Sequence, residues 1–185
     1  MDALFLAFCA AAWVFVCANV LLSVATFGLL SVPFFGLSLS GVVVGLFGGV
    51  STLSLCLSVG ALMAKCAHMP FLSQRAYVFL ALFTLFVFVD TLGILPFGFV
   101  YGALALPSLC AFALLAFLID RALGWLFLGA LGAQALTHTV VLFVGMADIY
   151  LFLGACVGLS KGFFSTARAS LKGKLKALAM PSWVR

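Results

Sequence analysis

The chain contains no glutamate, and its four aspartates together with nine lysines and arginines amount to only 7% of 185 residues. A soluble globular domain carries about a quarter charged residues, so that class is excluded. Few side chains are left for acid–base or metal chemistry. The six cysteines (Cys9, Cys17, Cys56, Cys66, Cys110, Cys156) are scattered singly, with no Cys-x-x-Cys. They give neither a disulfide framework nor a zinc site and read as small apolar residues. No metal and no cofactor is expected, and nothing points to a nucleic-acid partner. The opening MDALFLAFCAAAW has no basic n-region and no Arg-rich amphipathic pattern. A chain of this composition suits synthesis inside an organelle or a bacterium.

What is abundant is apolar. Hydrophobic residues make up 67% of the sequence, and the mean hydropathy is +1.41. Lipid offers the backbone no hydrogen-bond partners, so spanning segments are helices or a closed barrel. The apolar runs show no strict alternation, which excludes the barrel. The expected fold is therefore all-α, a polytopic membrane helix bundle. Runs at 3–30, 37–63, 76–95, 97–119, 122–146 and 149–159 (or to 164) give about six transmembrane helices. Five is the alternative, if one break is a kink or a re-entrant segment. Pro107 reads as a kink within the fourth run.

Residues 1–164 form a single transmembrane domain, and 165–185 form a basic amphipathic tail. In the tail Leu171, Leu175 and Leu178 fall near one helical face, with Lys172, Lys174 and Lys176 mostly off it. That pattern suits a helix lying on anionic lipid. Six alternating spans put Lys65, Arg75, Arg121 and the tail on one side, while the opposite turns carry no base. This is the positive-inside pattern, with both ends of the chain on the cytoplasmic or matrix side.

Chemistry has few places to sit. Asp90, Asp120 and Asp148 recur at intervals of about one span and a turn, which suits helix ends in headgroup contact. The functional reading joins Asp90 or Asp148 to Arg121 and His138 in a polar path for protons, since an acid beside a fixed cation is what proton passage requires, with Asp120 and Arg168 as further candidates. His138 lies in the densest polar cluster within a span, beside Gln134 and Thr137. A histidine in such a place is more often a hydrogen-bonded interior residue. Gly41 and Gly45 form a G-x-x-x-G, the pattern that lets two membrane helices approach closely.

Residues 82–99, LFTLFVFVDTLGILPFGF, resemble a characteristic segment of subunit a of F-type ATP synthases. Gly93, Pro96 and Phe99 keep that pattern, while Asp90 and Thr91 stand where the family usually has Asn and Leu. The resemblance implies a half-channel subunit delivering protons to a c-ring, with one essential arginine. Arg121 is favoured for that role over Arg168, because enough apolar chain follows it. A second segment, Leu57-Ser58-Val59-Gly60-Ala61-Leu62, resembles an element in the third helix of the sixth hydrophobic subunit of respiratory complex I. Ser38-Leu39-Ser40-Gly41 resembles the serine helix of rhomboid proteases, with Ser40 as nucleophile. A small stand-alone transporter or channel is the remaining alternative. The expectation is a subunit of a proton-translocating complex in a mitochondrial inner membrane or a bacterial plasma membrane, contacting other subunits and the bilayer.

Overall fold

The computed structural model describes residues 2–34, 37–69, 71–95, 99–102, 104–137, 143 and 145–160. Among the described residues the regular structure is helical apart from a two-residue antiparallel ladder, β1 (Pro33–Phe34) against β2 (Leu37–Ser38). The helices are α1 (Asp2–Cys17), α2 (Val20–Ser31), α3 (Leu39–Phe47), α4 (Thr52–Cys66), α5 (Gln74–Thr91), α6 (Ala105–Ile119), α7 (Arg121–Thr137) and α8 (Ile149–Ser160). By length and composition, α5 is the one described helix able to cross a membrane unaided.

The first two expected spans are each broken. Residues 3–30 turn back at Ala18 and Asn19, so that α2 packs on α1 and the Ser23 hydroxyl donates to the Ala11 carbonyl at 2.7 Å. Residues 37–63 break at Gly48, whose φ of +87° costs least without a Cβ. Beyond it Ser51 caps α4, its side chain accepting from the Ser54 N–H at 3.2 Å. The fourth run also starts late. Pro107 is the third residue of α6, in the first turn, where its missing N–H has no intrahelical partner to lose. It opens a helix rather than kinking one.

Helix ends are defined by local chemistry. Ser73 caps α5 through the Ala76 N–H. At its other end Gly93 is left-handed (φ +72°), with the Gly93 and Ile94 N–H groups returning to the Asp90 and Val89 carbonyls. The loop after α4 uses the same closure with His68 (φ 55°) in place of glycine.

Ring and hydrogen-bond contacts give the helix directions. Phe79 and Phe83 of α5 pack against Phe127 of α7 at 5.9 and 5.2 Å, and Phe83 against Phe112 of α6 at 5.1 Å. The start of α5 is tied to Asp120, where α6 ends and α7 begins. Thus α5 and α7 run together and α6 runs against them. The far end of α7 brings Gln134 against Gly145, whose carbonyl accepts from the Thr52 N–H at the start of α4. So α4 runs against α7. Helix α8 begins beside α4 at Asp148 and reaches Tyr77, in the first turn of α5, through Gly158.

The molecule therefore has two unlike ends. Lys65, Arg75, Arg121 and Asp120 lie at one, the basic end. Asp90 and Asp148 lie at the other, and Asp2 joins them beside Gly49. Placing Asp2 opposite the cations corrects the expectation that the first residues share their side. The cause is the extra reversal between α1 and α2.

Where α8 passes Tyr77, a Cβ on Gly158 would overlap the ring. Gly158→Ala is expected to cost about 2 kcal/mol by overpacking. The denaturation midpoint of the purified protein reads this directly, and an unchanged midpoint would place α8 elsewhere.

Candidate functional site

Each described acid near a helix junction has a distinct setting. Asp148 immediately precedes α8 and is 7% exposed. Its Oδ1 accepts from the Leu151 N–H (2.5 Å) and the Ser54 hydroxyl (2.8 Å), and its Oδ2 from the Ser51 N–H (2.5 Å). One carboxylate thus caps α8 and anchors the start of α4, satisfying donors that both helix N-termini leave open.

Asp120 repeats this plan at the basic end. Its Oδ1 accepts from the Ala122 N–H at 3.0 Å, capping α7, and its Oδ2 from the Ser73 N–H at 2.9 Å, anchoring α5. Partial burial pushes the carboxyl up, but the N–H groups of Ser73, Ala122 and Leu123 with the Ser73 hydroxyl outweigh it. The net result is a pKa below the ordinary 3.8. A folded-state pKa lowered in this way gives stability that is present above the unfolded value and lost as pH falls through the depressed one. The thermal midpoints of the parent and Asp120→Asn are therefore expected to differ at neutral pH and to converge at pH values below 3.8. A gap independent of pH would show that the charge does not contribute.

Asp90 is different. It is the next-to-last residue of α5 and 5% exposed. Its Oδ2 accepts from the Val100 N–H at 2.6 Å. Its Oδ1 is buried with no hydrogen-bond partner among the described residues.

These three carboxylates do not form one site. Asp90 and Asp120 stand at opposite ends of α5, about 25 Å apart at 1.5 Å per residue. Arg121 is exposed at the first position of α7, at the basic rim. It does not share an interior path with Asp90 or Asp148, because a helix length lies between them. His138 and Arg168 lie outside the described residues, as does the tail at 165–185.

Gly41 and Gly45 do not bring another helix close. A Cβ on Gly41 would meet only the Ser38 hydroxyl of its own cap, and one on Gly45 would meet nothing within 4 Å. Ser40 is buried and donates to the Leu30 carbonyl at 2.8 Å, a setting unlike that of a nucleophile. No group of three metal-ligating side chains occurs among the described residues.

Sequence reasoning missed a cavity. Between α1, α4 and α8 lies a space of about 190 Å³ with Cys9, Ser54, Ser58 and Tyr150 in its wall. The serines at three- and four-residue spacing on α4 were its signal, since buried hydroxyls in an apolar helix mark a polar interior face. No family model, no curated protein and no solved structure matches this chain.

Proposed function

We propose that this chain is a membrane-embedded subunit of a proton-translocating, energy-transducing complex, of the kind that the resemblance to ATP synthase subunit a implies. Its surface supports the bilayer setting. Leu21, Leu136 and Leu118 are 84%, 83% and 75% exposed, whereas Ser58, Thr84, Asp90 and Asp148 are buried. Polar groups inside and large apolar groups outside is the arrangement that lipid requires and water penalises.

In this reading α4 to α8 cross alternately, with α1 and the α2–α3 pair adding two further passes. Seven passes then replace the six inferred from hydropathy. The basic end faces the cytoplasm or matrix. Most helices are 12–17 residues long, or about 18–26 Å, so their connecting residues complete the crossing.

The observation that carries proton translocation is Asp90. A buried carboxyl with one oxygen held by the Val100 N–H and the other without a partner among the described residues offers a place for a proton to arrive. Arg121 stands at the basic rim in this arrangement, and Arg168 is the other candidate for the arginine that the resemblance implies.

The test is proton flux in vesicles bearing the assembled complex. Asp90→Asn keeps shape and an acceptor for Val100 but cannot carry a proton. Flux is expected to fall at least about tenfold with assembly intact, and Asp90→Glu is expected to retain part of it. Normal flux in assembled Asp90→Asn would refute the proposal.

A further inference from the structure

Three helix ends meet at the basic face. Gly60 of α4 lies against Leu126 of α7. Five residues further toward that face, about 7.5 Å at 1.5 Å per residue, stand Lys65 on one helix and Arg121 on the other. Asp120 joins the start of α7 to the Ser73 cap of α5, two residues before Arg75. The three cations therefore share one level, and all three are exposed.

Their charge is not neutralised from within. Asp120 is the one acid at this level among the described residues, and the N–H groups of Ala122 and Ser73 occupy both of its oxygens. Asp2, Asp90 and Asp148 stand at the other end. Beyond α8 the sequence adds six bases and no acid. The complement that this face lacks is an anion.

The surface beneath the cations selects among anions. Arg121, Trp125 and Leu128 follow at four- and three-residue spacing, so they share one side of α7, and all are exposed. Trp125 is 68% exposed, although its ring meets Phe117 of α6 edge-on at 5.5 Å. Beside it, Leu114 and Leu118 of α6 are exposed as well. A free phosphate would use the cations alone. A phospholipid uses the whole stripe, with its headgroup on the cations, its glycerol level at the indole and an acyl chain along the leucines.

We propose that this face, centred on Arg75, Arg121 and Trp125, is a binding site for an anionic phospholipid. The inference rests on the bilayer setting and is independent of the proton path at Asp90. Tryptophan quenching in phosphatidylcholine vesicles tests it, in a full chain keeping Trp125 as its sole tryptophan (Trp13→Phe, Trp183→Phe). A fixed minor fraction of the lipid is brominated on its acyl chains and is either phosphatidylglycerol or phosphatidylcholine. The anionic lipid is expected to quench at least about twofold more strongly. Arg75→Gln with Arg121→Gln is expected to abolish the difference, and Arg75→Lys with Arg121→Lys to keep it. A sole tryptophan at the other end, from Tyr101→Trp with Trp125→Phe, is expected to show no preference. Equal quenching of Trp125 by the two lipids would overturn the proposal, and so would a preference that survives the glutamine pair or is as large at position 101. Absence of quenching by either lipid would overturn it together with the bilayer setting.

Discussion

Asp148→Ala is expected to destabilise the protein by about 4 kcal/mol, because two backbone N–H groups and one hydroxyl lose their acceptor in a buried place. Each unsatisfied buried donor costs about 1–3 kcal/mol, and part of that is recovered by rearrangement or by water. Asp148→Asn keeps one carbonyl oxygen and the shape of the side chain, so about half the loss is expected. Reversible denaturation in mild detergent measures the difference. If alanine and asparagine were equivalent and both near the parent, the junction between α4 and α8 would not be held by this side chain.

Phe83→Ala is expected to cost about 4 kcal/mol, the range found for emptying a large buried ring site. Phe83 is almost fully buried and lies among Phe79, Phe112, Phe127 and Phe143, at centroid distances from 5.1 to 6.4 Å. These rings belong to α5, α6, α7 and the segment after α7, so one substitution loosens every contact that aligns those elements. Phe83→Leu refills most of the volume and is expected to cost about 1 kcal/mol. A small loss for alanine would mean that the neighbouring rings close the space.

The helical class of the fold was legible in composition, whereas the helix ends came only to within a few residues: the third run was expected at 76–95, and α5 spans Gln74–Thr91 between the Ser73 cap and the left-handed Gly93. The break at Ala18 and Asn19 was not legible, because apolar residues continue on both sides and the Asn19 side chain makes no capping bond. Hydropathy averages over such a reversal. Glycines 48 and 49 were visible, but glycine in an apolar run reads equally as packing or as a break, and only φ at Gly48 distinguishes them.

The acids show the same division. Their spacing placed them near helix ends. Whether each would face headgroups or the interior depended on partners about 50 to 100 residues away, Ser73 for Asp120 and Ser51 for Asp148. Pairings across such separations leave no local pattern. That Asp120 and Asp148 each take the N–H of a capping serine emerges only when the fold is known.

The unequal ends have an electrical consequence. With Asp2, Asp90 and Asp148 at one face and Lys65, Arg75 and Arg121, offset by Asp120, at the other, the described residues form a standing dipole along the helix axes. In the orientation proposed above, a resting voltage negative on the cytoplasmic or matrix side draws the cationic face inward and the anionic face outward. Each elementary charge displaced through the full field changes the energy by about 2.3 kcal/mol per 100 mV. Energising the membrane would therefore reinforce this polarity of insertion, and an upside-down copy would be strained by the same voltage.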